Sequence, residues 1–327
     1  MSAATAHAEF LAQRRAYIGG TDIAAITGVS PWASPLSVYL DKTAPEKVDD
    51  KDSLPMRRGL ALERFIADEF ERAKPGTVTY HPAPIVRTDW GFPAGASIDR
   101  YIATIEHPRT PTAVLECKTA FSFQSSRQWQ APDPLKGIEE GDLPDSYFVQ
   151  VQWYLAVTGL TWAYGAADTG GPKLTIVPIH ANELVQARLI EAGRKFWQEH
   201  VERGVAPEPI GTEADADALA HMWPDTIPEP AVTIEDELAE VILSDYLAAK
   251  FKAEEAKREA DTNKQRLQAL MGENEQAVIG RWKLAWKRQE RTTIDTTRLK
   301  EERPDVAAEF AKTSESRVFA APKEITA

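Results

Sequence analysis

A short apolar segment that carries two charges constrains the fold of this chain more than any other feature. Residues 113–121 read Ala-Val-Leu-Glu-Cys-Lys-Thr-Ala-Phe, so Glu116 and Lys118 interrupt a run that otherwise suits a buried β-strand. Burying charged side chains costs free energy unless they are paired or bind a metal ion. The segment therefore predicts an interior strand on which a specific polar site is built.

Alternation along such a strand places Glu116 and Lys118 on one face and Cys117 on the other. Asp99, from a neighbouring strand, can add a second carboxylate. Carboxylate oxygens are the ligands that Mg²⁺ prefers, and Lys118 could hold and help to deprotonate a water beside the metal. Taken alone, this Asp…Glu-x-Lys pattern is weak, because a surface strand with an ion pair has the same residues. The apolar flanks favour the site.

The remaining patterns describe how the chain is organised. Helices are predicted over residues 61–72, 146–158, 183–201 and 235–271, and strands over 102–105, 113–118, 161–167, 174–179 and 282–287. This order indicates an α/β or α+β fold in which a sheet is flanked by helices.

The acidity of the chain is concentrated in one segment. The formal net charge is -12, which by itself argues against a nucleic-acid partner. Residues 205–245 hold 11 acidic residues and no Lys or Arg, so the rest of the chain carries only -1. Prolines accompany these acids, as is typical of a linker. We therefore predict domains at residues 1–205 and 235–327, joined by an acidic Pro-rich linker at 206–234.

Other acidic and amide positions can belong to the same site. Glu63 opens the predicted 61–72 helix, where it could instead complement the helix dipole. Asp89 precedes Gly91 and could be an ordinary turn residue. Gln150 and Gln152 are two residues apart on a helix and cannot share one face, so one of them is expected at the site and the other elsewhere.

A basic stretch lies near the C-terminus. Residues 281–300 carry seven Lys or Arg against two acids, a local charge of +5, and include Trp282 and Trp286. Basic residues interleaved with aromatics can follow a nucleic-acid backbone. A solvated face opposite a buried tryptophan face explains the pattern equally well, so both interpretations stay open.

Five blocks in order resemble the phage recombination exonucleases of the lambda-exonuclease/YqaJ type, within the PD-(D/E)xK nuclease superfamily. The blocks lie at residues 14–22 (RRAYIGGTD), 58–63 (RGLALE), 96–99 (ASID), 115–118 (LECK) and 150–159 (QVQWYLAVTG). The resemblance implies an α/β, restriction-endonuclease-like core, a central mixed β-sheet flanked by helices, with a helical and small β extension at the C-terminus.

The resemblance also assigns roles around the metal. It implies that Asp99 and Glu116 bind Mg²⁺, that Glu63 supports or binds a second ion, and that Lys118 positions or activates the water. Two ions per site are expected, with Mn²⁺ as a possible substitute.

Further roles lie at the edges of the site. The resemblance implies that Gln150 or Gln152 orients the water or the metal ligands, and that Arg14 and Thr21 bind a terminal 5′-phosphate. Asp89 matches an acidic position that would support the site. Two departures are visible: Arg100 stands where the family commonly has glycine, and Thr21 stands where serine is commoner.

The function implied is a Mg²⁺-dependent exodeoxyribonuclease that degrades one strand of linear duplex DNA from its 5′ end, supplying single strand for recombination. A single-strand-annealing partner and a homotrimer are expected by analogy. The alternatives are an endonuclease of the same fold, in restriction or repair, and a non-catalytic DNA-binding module. Because no apolar stretch has the length of a membrane span and no secretory signal is recognisable, we expect a cytoplasmic protein. The resemblance implies that it is phage or prophage encoded.

Overall fold

The computed structural model describes residues 13–44, 53–133, 141–227, 232–313, 319–320 and 322. The chain divides into two compact units, Met1–Pro224 and Asp225–Ala327. In the described residues, no helix combines the length and the apolar character needed to cross a membrane.

The first unit is built on a five-stranded sheet in the order β1-β4-β5-β6-β7. Its strands are β1 Thr77–Tyr80, β4 Arg100–Thr104, β5 Ala113–Thr119, β6 Trp162–Asp168 and β7 Thr175–His180. The β5–β6 pair is parallel, and the other three pairs are antiparallel. A separate hairpin pairs β2 Ile85–Arg87 with β3 Ala94–Ala96.

Helices surround this sheet. They are α1 Gly20–Ile26, α2 Pro35–Thr43, α3 Leu54–Ala73, the short α4 Phe123–Ser126, α5 Asp145–Thr158, α6 Glu183–Phe196, which continues as the π-helix Trp197–Val201, and α7 Glu213–Met222. The predicted α/β core, a central mixed sheet flanked by helices, is confirmed.

Strand β5 is central because both of its faces are covered. Leu115 and Cys117 pack against Ile66 and Phe70 of α3. Val114 belongs to the core cluster on the opposite face, which includes much of α5. A parallel pair needs a long crossover, and α5 supplies it between β5 and β6. The apolar run around Glu116 is therefore an interior strand, as its sequence predicts.

The start of α3 differs from the prediction. The helix begins at Leu54, where Ser53 caps it by accepting a hydrogen bond from the Met56 backbone N–H at 3.4 Å. Glu63 consequently lies in the middle of the helix and does not complement a helix terminus. Its place in the fold has to be explained by its side-chain contacts.

Part of the predicted acidic linker is folded onto the first unit. Residues 213–222 form α7, and Ala218 joins Leu36 and Leu40 of α2 in a small core cluster. The buried Asp215 carboxylate accepts hydrogen bonds from the backbone N–H groups of Ile210 at 3.0 Å and Thr212 at 2.9 Å. The linker prediction missed this helix, because the acids dominate the composition while a few apolar positions determine the packing. Residues 228–231 lie outside the described part of the chain.

The second unit is largely helical. It contains α8 Glu237–Met271, the hairpin of β8 Gln276–Ile279 and β9 Trp282–Ala285, and the short helices α9 Thr296–Glu302 and α10 Pro304–Glu309. Gly272 follows α8 with φ +56°, a backbone conformation that favours glycine. The predicted helix over 235–271 and the predicted strand beginning at Trp282 are confirmed.

Candidate active site

Glu116 and Lys118 lie on the face of β5 that is turned toward α5, and they form an ion pair. The Lys118 ammonium donates a hydrogen bond to Glu116 Oε1. The same oxygen accepts a second hydrogen bond from Gln150 Nε2 at 2.7 Å. Strand alternation and the crossover helix thus bring together a carboxylate, an ammonium and an amide, as the sequence pattern predicts.

Glu116 is almost completely buried, with 1% of its surface exposed. Its second oxygen, Oε2, is also buried and has no hydrogen-bond partner in the described residues. Burial, followed by the nearby Asp99 carboxylate, raises the pKa of Glu116 to about 7. An ionised carboxylate oxygen left without a partner in the interior is unfavourable, so this atom is suited to a cation.

Asp99 is held beside Glu116 by the backbone of β5. Its Oδ2 accepts a hydrogen bond from the Cys117 N–H at 2.8 Å. Within the described chain, no hydrogen bond reaches Asp99 Oδ1. Because burial and then the Asp99 and Glu116 carboxylates raise the pKa of the Cys117 thiol, this cysteine stays protonated and is no nucleophile.

Lys118 is an ammonium in this arrangement. Burial lowers its pKa, but the Glu116 and Asp99 carboxylates outweigh burial, and the pKa is raised above the ordinary value. The ammonium also lies 5.1 Å from the centroid of the Tyr147 ring. A lysine with a raised pKa is a poor proton acceptor. The two carboxylates therefore keep Lys118 charged in the metal-free arrangement.

The structure separates the two glutamines of α5. Gln150 donates to Glu116 and also to the Tyr154 hydroxyl, at 2.9 Å. Gln152 points to a different part of the fold, because residues two apart on a helix lie on different faces. Its amide donates to the His180 carbonyl at 2.6 Å and accepts from the Asn182 N–H at 2.9 Å. The assignment of Gln152 to the site is therefore corrected: it ties α5 to the segment between β7 and α6.

Glu63 approaches the site but is held by an arginine. The Arg100 guanidinium donates a hydrogen bond to Glu63 Oε1 and a second, at 2.5 Å, to the Asp99 carbonyl. The same nitrogen lies 3.1 Å from His81 Nδ1. Burial and the Asp99 carboxylate raise the pKa of Glu63 even though Arg100 lowers it. The sequence marked Arg100 only as a departure from the family, and His81 was missed because it belongs to no motif.

The acidic side chains allow a test of whether this site fits Mg²⁺. Within the described ranges, no three His, Cys, Asp or Glu side chains are grouped closely enough to hold a metal ion. Asp99 and Glu116 supply two carboxylates, one with the unpartnered buried oxygen Oε2. Mg²⁺ commonly uses one or two carboxylates and keeps several waters. The pair fits one such ion, whereas Glu63 has one carboxylate oxygen, Oε1, already bonded to Arg100.

Arg14 and Thr21 meet at the start of α1. The Arg14 guanidinium donates a hydrogen bond to the Thr21 hydroxyl. Lys42, whose side chain is fully buried, forms an ion pair with Asp22 at 2.9 Å and donates to the Arg14 carbonyl at 3.2 Å. Burial opposes ionisation of Asp22, but Lys42 and Arg14 outweigh it and hold the pKa of this carboxyl below its ordinary value.

The sequence interpretation missed Lys42. Its only sequence signal was a lysine in the last turn of a short helix, which is usually exposed. Because the pairing of Lys42 with Asp22 crosses from α2 to α1, no local pattern could predict it.

Gly20 brings the Arg14–Thr21 cluster against the helix that carries Gln150. A Cβ atom at Gly20 would lie 2.7 Å from Tyr154 Cε1 and 2.9 Å from Gln150 Cγ. Only glycine therefore permits α1 to pack this closely on α5. The Arg14 and Thr21 pair is consequently next to the helix that carries Gln150.

Asp89 lies outside this cluster. It stands between β2 and β3, and its carboxylate pairs with Arg87, with N–O distances of 2.9 and 2.6 Å. Because the hydrogen bond from Arg87 lowers the pKa of Asp89, this carboxylate is stabilised by its own hairpin. Among the described residues, no hydrogen bond or ion pair joins Asp89 to the Glu116 cluster.

The comparison with known proteins matches the part of the chain that contains the five sequence blocks. A family model described as a YqaJ-like viral recombinase domain matches residues 9–161. This range includes each of the site residues discussed above. The family model thus agrees with the YqaJ-type resemblance that the ordered motifs carry.

A curated relative extends the match to nearly the whole chain. The uncharacterized protein YqaJ of Bacillus subtilis (strain 168) is 30% identical over 313 residues, which cover 95% of this chain and 92% of that protein. The chain belongs to the YqaJ family.

Solved structures of exonucleases are also similar to part of the chain. The alkaline exonuclease LHK-Exo of Laribacter hongkongensis is 16% identical, with a TM-score of 0.47, over 60% of this chain and 93% of that one. A phage-related exonuclease of Haemophilus somnus 129PT is 10% identical, with a TM-score of 0.42, over 60% of this chain and 99% of that one. Family membership rests on the family model and the YqaJ relative, not on these weaker likenesses.

Proposed function

We propose that this protein is a metal-dependent exodeoxyribonuclease that hydrolyses phosphodiesters of linear duplex DNA from a 5′ end. The observation that carries the proposal is the buried Glu116 carboxylate, whose Oε2 has no partner in the described residues while Lys118 and Asp99 stand beside it. Such a pair of acids is unfavourable for stability alone. It is suited to holding a cation at a phosphodiester.

Asp99 and Glu116 would hold Mg²⁺, or Mn²⁺ in its place. When bound, the ion lowers the pKa of a water and stabilises negative charge on the phosphate. The Lys118 ammonium adds positive charge where negative charge develops in the reaction. Gln150 donates to Glu116 Oε1 and so orients that carboxylate, and a hydrogen bond from the same amide to the Tyr154 hydroxyl fixes the position of Gln150. A second ion would need Glu63, which Arg100 holds in this arrangement.

The proposal that degradation starts at a 5′ end rests on Arg14 and Thr21 at the start of α1. Arg14 presents a guanidinium suited to a phosphate and Thr21 presents a hydroxyl, while the charge of the buried Lys42 is balanced by its ion pair with Asp22. A terminal 5′-phosphate carries more negative charge than an internal phosphate. Since Gly20 packs directly on Gln150, a strand end held at Arg14 would lie near the Glu116 cluster.

The test is digestion of linear duplex DNA that carries either a 5′-phosphate or a 5′-hydroxyl, with closed circular duplex alongside. We expect Mg²⁺-dependent loss of the 5′-phosphorylated strand, slower loss with 5′-hydroxyl ends, and no cutting of circles. Lys118→Ala should reduce the rate at least about 100-fold. Asp89→Asn is the matched control, because the ion pair of Asp89 in the described part of the chain is with Arg87 of its own hairpin.

Two outcomes would redirect the assignment. Cutting of closed circles would replace the exonuclease with an endonuclease of the same fold. Intact linear DNA in every metal tested, together with metal-independent binding of duplex, would replace it with a non-catalytic DNA-binding module. The acid–lysine–glutamine cluster favours the enzyme, because DNA binding alone does not need a buried acid.

Assembly and location extend the proposal by analogy with the family resemblance. They comprise a homotrimer, a single-strand-annealing protein that receives the product strand, and a cytoplasmic site of action in a bacterial host of a phage or prophage. Light scattering of the full chain, with and without duplex DNA, tests the oligomer.

A further inference from the structure

The hairpin of β8 and β9 presents two tryptophans to solvent. Trp282 is 66% exposed and Trp286 is 48% exposed. Tryptophan is large and apolar and is strongly buried on average in folded proteins. The sequence left open a buried tryptophan face with a solvated basic face opposite it. These exposures exclude that interpretation.

The register of the β8–β9 hairpin explains why both tryptophan side chains are exposed on the same side. Trp282 pairs with Ile279 and Leu284 pairs with Ala277, so these four side chains share one face. The Trp286 backbone N–H donates to the Glu275 carbonyl at 2.9 Å and extends the pairing by one step. The Trp282 and Trp286 side chains therefore lie on the same face of a hydrogen-bonded hairpin.

A guanidinium lies beside the Trp282 ring, and further basic residues flank it along the chain. The Arg281 guanidinium lies 5.5 Å from the centroid of the Trp282 ring. Lys283 pairs with Val278 on the opposite face. The ion pairs of residues 281–300 in the described chain involve one basic residue only, Arg298, which contacts Glu302 at 2.7 Å. Most of the local charge of +5 is therefore available to an anionic partner.

We propose that this hairpin binds single-stranded DNA. Aromatic rings stack on bases whose faces are open, and neighbouring cations follow the phosphates. In a duplex those faces already stack on one another, so exposed tryptophans favour a single strand. We further infer that the bound strand is the one released by the nuclease, and this step rests on the proposed function. The binding of single-stranded DNA by the hairpin does not depend on that function.

Binding is measured by fluorescence anisotropy with the full chain, EDTA and a labelled oligonucleotide of about 20 thymidines, longer than a typical site. EDTA removes any nuclease reaction from the measurement. We expect Trp282→Ala to weaken binding about 5- to 100-fold, and Trp282→Phe to retain more of it because a ring remains. Phe251→Ala is the matched control, since Phe251 is an exposed aromatic, 58% accessible, on α8 of the same unit.

The salt dependence tests the charges separately. Arg281→Gln, which removes the cation beside the Trp282 ring, should lower the slope of log affinity against log salt by about 0.7, the value for one phosphate contact on a single strand. Circular dichroism establishes that each variant is folded, and an exposed position should not alter the spectrum.

Three results would overturn the proposal. The first is unchanged affinity in Trp282→Ala, and the second is equal binding of a blunt duplex with the same loss in that variant. The third is a change of oligomeric state in Trp282→Ala without loss of DNA affinity, which would make the hairpin a contact between copies. If linear duplex is not degraded but oligothymidine binding depends on Trp282, the hairpin assignment stands and the proposed nuclease fails.

Discussion

Arg100 holds Glu63 through a hydrogen bond between its guanidinium and Glu63 Oε1, and the same side chain donates to the carbonyl of Asp99. One arginine therefore connects the middle of α3 to the segment that carries a proposed metal ligand. The family resemblance gives Glu63 a role near a second ion. In this chain a guanidinium takes up the charge of that carboxylate instead.

Releasing Glu63 should change the number of ions bound. We predict that Arg100→Gln raises the Mn²⁺ stoichiometry from about one to about two per chain, because a freed carboxylate beside Asp99 completes a second set of oxygen ligands. Electron paramagnetic resonance of unbound Mn²⁺ counts the ions without any DNA. Arg87→Gln is the control, as it breaks an arginine–aspartate pair away from the site. Two ions in the unaltered protein would contradict the interpretation of Arg100.

Stability of the metal-free protein should depend on the ionisation of Glu116. The folded pKa of about 7 lies above the ordinary value of 4.5, so protonated Glu116 is the form the fold prefers. Its contribution to stability is fully present below the unfolded value and is lost as the pH rises through the folded one. The loss amounts to about 3 kcal/mol.

Urea unfolding in EDTA at about pH 5 and about pH 8 measures this loss. Glu116→Gln should lack this contribution, while other titrating groups act in both proteins alike. Mg²⁺ should restore stability to the unaltered protein at the higher pH and not to Glu116→Gln. An identical pH dependence in the two proteins would refute the role given to burial.

The two glutamines of α5 should separate activity from stability. Gln150→Ala removes a hydrogen bond to Glu116 and should lower the rate on linear duplex about 10- to 100-fold, the range for a residue that orients a metal ligand. Gln152→Ala leaves the His180 carbonyl and the Asn182 N–H unpaired and should cost about 1–3 kcal/mol of stability. Rates per folded molecule and urea unfolding distinguish them. Equal loss of activity in both variants would return Gln152 to the site.

Substituting alanine at two glycines should change the stability of the chain in opposite directions, because Gly20 lies in the close contact between α1 and α5 and Gly59 does not. Gly20→Ala would force a Cβ within 2.7 Å of Tyr154, and overpacking of this kind costs about 1–3 kcal/mol. Gly59→Ala lies within α3 with nothing within 4 Å and should stabilise the chain by about 0.5–1 kcal/mol. Thermal unfolding compares them. We also expect Gly20→Ala to weaken the preference for 5′-phosphate ends, because Arg14 would move away from Gln150.

The extent of what sequence can predict is clear from particular residues. Glu116 and Lys118 were placed correctly because strand alternation and an apolar context are local properties of the chain. Which of Gln150 and Gln152 faces the site could not be predicted from local sequence. Helix geometry requires that they diverge, but only the packing of α5 between β5 and α6 decides which of them faces Glu116.

Long-range charge pairing also lay beyond the sequence. Glu63 with Arg100, and Asp22 with Lys42, each join elements that are distant along the chain or belong to different helices. Acid-rich composition similarly concealed α7, because Ala218 and its neighbours decide packing while the acids decide net charge.

The sequence by itself determined that a charged pair would be buried on a central strand, since only a paired or metal-binding site makes such a strand tolerable. It also determined the family, through the order of the motifs. The tertiary structure decided which carboxylates are free to bind a metal and which are held by arginine or lysine. The physical reason is that secondary structure follows from local periodicity, whereas the partner of a charge depends on which elements fold against each other.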